Sequence, residues 1–132
     1  MKDKTVAVEN YFIFENYPPE KQARFKFVII ETYDALYFVF GPLDPFGYHA
    51  NLVGRFATEH EIPSHWLEKP HLVEILDVAY KVNGGGWVDL NPKTKMIMFY
   101  GYSTAYGEFD HQQLLYIIEK SGLFADWEVV IN

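Results

Sequence analysis

Residues 25–40 read Phe-Lys-Phe-Val-Ile-Ile-Glu-Thr-Tyr-Asp-Ala-Leu-Tyr-Phe-Val-Phe. Two runs of β-branched and aromatic residues, 25–32 (FKFVIIET) and 36–40 (LYFVF), flank a short polar break at Tyr33-Asp34-Ala35, which is the pattern of a β-hairpin. Their apolar residues occupy consecutive positions rather than alternate ones, so both faces of the sheet they enter need cover. Working outward, residues 87–90 and 95–100 (KMIMFY) surround the turn signal Asn91-Pro92 and read as a second hairpin. Residues 127–131 put Trp127, Val129 and Ile131 on one side, as a last strand would.

Two helices are expected between these strands. In the first, Asp44 caps, Pro45 takes the first turn, and Phe46, Ala50, Val53, Phe56 and Ala57 recur at helical spacing up to about His60. Gly47 and Gly54 weaken that helix, so it must lean on the sheet. In the second, Asp110 caps, Leu114, Leu115 and Ile118 form the buried stripe, and Gly122 ends it. Residues 61–69 (EIPSHWLEK) read as a loop with a helical turn, while 71–82 fit helix and strand equally. The expected fold is therefore α/β (α+β): a mixed sheet of about six strands flanked by two main helices, with residues 1–132 as one domain.

Composition narrows the function classes. The 132 residues include 11 Lys+Arg against 18 Asp+Glu, a net charge of −7, and 49% are hydrophobic, enough for a sizeable core. Zero Cys excludes disulfides, thiolate metal sites and a cysteine nucleophile. Arg24 and Arg55 are the two arginines of this acidic chain, which argues against a phosphate-backbone grip on nucleic acid. No apolar run reaches the roughly 18 residues of a membrane span, and residues 1–4 lead into no signal-peptide core. A cytoplasmic protein without membrane or nucleic-acid partners is expected.

The chemistry concentrates in three places. Residues 100–107 (YGYSTAYG) connect a strong strand to a helix, and such a Gly-flanked loop can aim backbone N–H groups and the Ser103 and Thr104 hydroxyls at an anion, or simply turn the chain. It is not a Walker loop, because no Gly-Lys-Ser/Thr follows. His49 falls on the buried side of the first helix, where it is either a hydrogen-bonded core residue or a neutral imidazole able to take a proton. With the helix N-terminus favouring the uncharged ring, its midpoint should lie near or below about 6.5. Lys26 sits inside an apolar strand and must reach solvent or face an anion. His60, His65 and His71 are spaced by five and six residues, a spacing that does not stack on one helical face or match a known metal pattern, so no metal is expected. Gly84-Gly85-Gly86 implies a bulge or a close approach of another group.

Taken together, Phe25-Lys26-Phe27-Val28-Ile29-Ile30, Tyr48-His49-Ala50, Gly84-Gly85-Gly86 and the YGYSTAYG loop resemble, in order and approximate spacing, the Janus/Ocnus family, whose enzymatic member is a 14 kDa phosphohistidine phosphatase. The resemblance covers about residues 24–131. It implies a small α/β domain acting without metal or other cofactor on phosphorylated histidine, in a phosphorylated protein or a small phosphoramidate. It further implies His49 as the base that activates water, Lys26 as a contact of the phosphoryl group, and Ser103, Thr104 and Ala105 as its cradle. The alternative is a non-catalytic phosphate-binding module of the same fold. Two family arginines have no counterpart: Trp87 follows the three glycines, and Phe40 stands before the YHA segment. The stretch between His49 and Gly84 is longer than the family pattern, and its extra residues around 62–70 could form a lid or a contact surface.

Overall fold

The computed structural model describes residues 7–12, 21–42, 47–122 and 124–132. Strands β1 (Ala7–Phe12), β2 (Ala23–Glu31), β3 (Ala35–Pro42), β6 (Lys81–Asn91), β7 (Met96–Tyr100) and β8 (Glu128–Ile131) form one sheet in the order β1-β3-β2-β6-β7-β8. The two outer pairs, β1 with β3 and β7 with β8, run parallel, and the inner pairs are antiparallel. The mixed sheet and both hairpins follow the sequence pattern. The Thr32 N–H donates to the Ala35 carbonyl at 2.8 Å, closing the first hairpin turn.

Helices α1 (His49–Glu59) and α2 (His111–Ser121) cover opposite faces, as the continuous apolar run of β2 requires. Its side chains alternate: Phe25, Phe27 and Ile29 join Leu114 and Ile117 of α2, whereas Val28 and Ile30 join Leu52, Val53 and Phe56 of α1. Lys26 shares the α1 face, and it is buried at 7% exposure. Helix α1 begins at His49 with Tyr48 as its N-cap, later than the spacing suggests; the expected cap Asp44, with Pro45 and Phe46, lies outside the described residues. In α2 the cap is as expected, with Asp110 accepting from the N–H groups of Gln112 and Gln113, and Gly122 ends it in the left-handed conformation. Its buried stripe differs. Leu114 and Ile117 are buried with Ile118 beside them, while Leu115 is exposed, because a residue 100° around from Leu114 falls off the face that 114, 117 and 118 share.

The stretch expected as a loop with a helical turn is instead a strand. β4 (Ser64–Glu68) pairs antiparallel with β5 (Leu72–Ile75) in a separate two-stranded sheet that resolves the ambiguity of 71–82 as strand, turn and the start of β6. Four of the five β4 residues are exposed, so the hydrophobic periodicity that marks a strand is missing; β5 holds through Val73, buried against α1.

The three glycines do form a bulge. Val28 pairs Gly85 while Ile30 pairs Val82, so Ile29 faces both Asn83 and Gly84. A Cβ on Gly85 would stand 2.3 Å from the Phe27 carbonyl oxygen and 3.2 Å from the His49 ring, so the glycine is needed for helix and sheet to approach. Gly85→Ala is expected to lose about 1–3 kcal/mol through this overpacking, which corresponds to a melting temperature lower by roughly 4–11 °C. A calorimetric melt unchanged from the parent would show that the backbone can yield there.

Candidate functional site

A cleft of about 530 Å³ opens where the start of α1, the middle of the sheet and the loop after β7 meet. Lys26, His49, Ser103, Thr104 and Ala105, all five residues singled out from the sequence, line it. They come from three elements, and the fold brings every one of them together.

His49 is the first residue of α1 and is 7% exposed. Its Nε2 lies 2.9 Å from the Gly86 carbonyl oxygen. A carbonyl only accepts, so Nε2 carries the proton and Nδ1 keeps the basic lone pair. Burial lowers the pKa of this imidazole to about 4, with the nearby Lys26 charge adding to the effect and the Gly86 bond opposing it. The ring is therefore neutral at neutral pH, as the sequence suggested, but desolvation rather than the helix terminus is the leading cause.

Lys26 lies beside it, and burial pushes its pKa below the usual lysine value. Its Nζ donates to the Gly47 carbonyl and stands 4.8 Å from the centre of the Trp87 ring and 5.7 Å from that of Tyr48. Strand register explains the Trp87 contact, since Lys26 and Trp87 are directly paired across β2 and β6. Trp87 thus borders the cleft. Phe40 does not. It is fully buried against Phe25 and Phe38 on the α2 face, away from the cleft. Arg24 pairs with Asp89 and Arg55 with Glu59, and neither lines the cleft.

The loop is tightly closed on itself. Ser103 N–H donates to the Gly107 carbonyl at 3.1 Å, Gly107 N–H returns to the Ser103 carbonyl at 2.7 Å, and the Ser103 hydroxyl oxygen accepts from Tyr106 N–H at 3.0 Å. The expected amide of Ser103 is consequently occupied within the loop, leaving its hydroxyl hydrogen as a donor. Thr104 and Ala105 N–H groups have no protein acceptor among the described residues. Nor does the loop run straight into α2: Glu108 and Phe109 intervene, and Asp110 caps that helix. The helix terminus at the cleft is that of α1, whose N-cap Tyr48 and first residue His49 both line it.

Tyr48, Glu68, His71, Leu72 and Tyr102 complete the lining. Tyr48 and Tyr102 sit within the motifs that singled out their neighbours, and Glu68 falls in the stretch around 62–70 read as a lid or contact surface, whereas nothing local in the sequence marked Leu72 for the site. The three histidines considered for a metal do not converge: His60 Nδ1 bonds the Phe56 carbonyl, His65 pairs with Glu74, and His71 stands against Tyr48. Among the described residues no group of three or more metal-ligating side chains forms, and no helix is long and apolar enough to cross a membrane.

The model of the Janus/Ocnus family (Ocnus) matches residues 17–128. The chain belongs to that family. No curated protein matches it. The family match spans α1, the glycine bulge and the loop after β7, so the elements that form the cleft are those of a Janus/Ocnus domain. It also spans the β4–β5 hairpin, which Tyr106 fastens to the loop: its hydroxyl donates to the Val73 carbonyl at 2.7 Å and accepts from the Val73 N–H at 3.0 Å. Burial pushes the Tyr106 pKa up to about 12, so the phenol stays protonated and able to donate. Tyr106→Phe strips two backbone groups of β5 of their partner, at about 1–3 kcal/mol. Hydrogen exchange at the Val73 amide should accelerate accordingly, and unchanged protection would mean that β5 is held by its packing on α1 alone.

Proposed function

We propose that this chain is a metal-independent phosphohydrolase that removes phosphate from phosphohistidine or a related phosphoramidate, whether a protein or a small molecule carries it. The observation that supports this reading is the meeting of a neutral His49, a buried Lys26 and the two unoccupied amides of Thr104 and Ala105 in one cleft. Lys26, those amides and the Ser103 hydroxyl hold the phosphoryl oxygens and oppose their charge as it shifts in the transition state. His49 Nδ1 accepts a proton from a water whose oxygen attacks phosphorus; the P–O bond forms as the P–N bond breaks. The departing nitrogen takes up a proton, which His49 can return, and inorganic phosphate leaves.

His49→Ala, assayed for phosphate release from phosphohistidine after treatment with chelator, should fall toward the uncatalysed rate, by roughly 10²–10⁴-fold for a lost general base. Equal rates for parent and variant would overturn the assignment. The sign of the pH dependence follows from the depressed pKa. Above about 4 the free protein holds a neutral base, so kcat/KM, corrected for spontaneous acid hydrolysis, should stay level from pH 8 to 5 and decline with a midpoint near 4. In kcat the midpoint should lie higher, because a bound phosphoryl dianion favours the imidazolium. Folding stability should also weaken as pH falls from 6.5 toward 4, since the unfolded chain binds the proton first. Melts over the same range separate this loss from loss of the base, and a kcat/KM midpoint at 6.5 or above would count against His49.

Trp87 favours a second reading, a phospho-ligand binding module without turnover, because an indole covers the Lys26 ammonium where the family pattern has a guanidinium. Titration with phosphate and phosphohistidine distinguishes the two, since saturable binding without phosphate release supports the module. Trp87→Arg should tighten phosphate binding by less than the roughly 1.5–3 kcal/mol of a charge-assisted hydrogen bond, with a gain that shrinks as salt rises. A sharply lowered melting temperature without tighter binding would show that the indole serves the fold and not the ligand.

A further inference from the structure

The charges that the β4–β5 hairpin brings to the cleft do not suit a bare phosphate. Glu68 ends β4, and the turn to β5 is closed by the His71 N–H donating to the Glu68 carbonyl at 2.7 Å, so both side chains leave one fixed turn and both line the cleft. The His71 ring stands edge-on to Tyr48, centroids 4.8 Å apart, which seats the turn against the start of α1. Among the described residues the Glu68 carboxylate enters no ion pair, and the Lys26 ammonium donates to Gly47 instead. Among the described residues the lining thus includes one ammonium, Lys26, and one carboxylate, Glu68, with no ion pair between them. A carboxylate beside an anion site repels a phosphoryl dianion, unless the ligand brings a positive charge of its own.

Resting on the phosphoramidate reading, we infer that the cleft selects phosphoramidates whose nitrogen carrier bears an ammonium group, held by Glu68 while the phosphoryl group lies at Lys26, Thr104 and Ala105. The exposed rings of Tyr48 and Tyr102 line the same space and offer π-faces to such a cation. A volume of about 530 Å³ accommodates a small phosphorylated amine whole. The net charge of −7 draws a cationic carrier and repels an anionic one. Trp87, which borders the cleft where the resemblance leads one to expect an arginine, fits the same logic, because a less positive cleft is less repelled by its ligand's ammonium.

Three N-phosphorylimidazoles with the same leaving group and different tails test this: an ammonium tail, a neutral acetamide tail and a carboxylate tail. The parent protein should rank them in that order by kcat/KM, with ammonium over acetamide by about three- to tenfold for a partly exposed charge contact. Glu68→Gln should bring that ratio to near one, and Glu68→Lys should reverse the order. Equal kcat/KM across the tails in the parent, or a ratio unmoved by Glu68→Gln, overturns the inference. A phosphohistidine peptide flanked by lysines, compared with phosphohistamine, reports whether peptide or free amine is the better source of the cation; a peptide preferred tenfold or more overturns the small-amine form. If none of the three probes is hydrolysed, it is the hydrolase reading that fails. Calorimetric titration of the same probes then decides the tail preference alone, with ranked affinities upholding it and equal affinities ending it.

Discussion

The His49 Nε2–H bond to the Gly86 carbonyl, 2.9 Å long and buried, joins the first residue of α1 to the central antiparallel pair of the sheet. It can form because Gly85 has no Cβ; any side chain there would meet the Phe27 carbonyl on one side and the His49 ring on the other. One contact therefore sets three properties at once. It fixes the distance between helix and sheet, chooses the imidazole tautomer, and holds the remaining basic nitrogen in a desolvated place beside an ammonium.

The loop after β7 depends on the same bulge. Gly84 has a positive φ of 92°, and a Cβ on it would lie 2.1 Å from the Glu108 carbonyl, while Gly85 N–H donates to the Gly107 carbonyl. The loop is thereby stitched to the strand that also carries the His49 acceptor, and its rigidity does not rely on a ligand. Amides held in this way cost little reorganisation when charge develops in front of them, as the proposed phosphoryl transfer would require. Lys26 is poised in a comparable manner, its ammonium kept out of bulk water by two aromatic rings and one carbonyl.

The β4–β5 hairpin adds a wall that the motif residues alone do not make. Only Val73 of its strands is deeply buried, and it is tied to the loop through the Tyr106 hydroxyl. A small two-stranded sheet needs such outside support, being marginal by itself. Its side chains can therefore change at little cost to the main core, which suits a surface that tunes ligand preference on a cleft whose remaining parts are constrained by packing.

Sequence alone determined the elements whose physics is local. Unbroken apolar runs with a polar break specify buried hairpin strands, Asp110 and Gly122 bound α2, and the FKF, YHA and YGYSTAYG segments single out several of the residues that line the cleft. Only the tertiary structure decided how those segments face one another. Strand register set Trp87 across from Lys26 and turned Phe40 to the opposite face, a matter of one residue in a period of two. The Ser103 amide was consumed by a bond to Gly107 that no spacing rule foresees. Exposed β4 has no apolar alternation to reveal it, so Glu68 and His71 reached the cleft through a hairpin held by distant partners, Tyr48 and Tyr106, rather than by any pattern of its own.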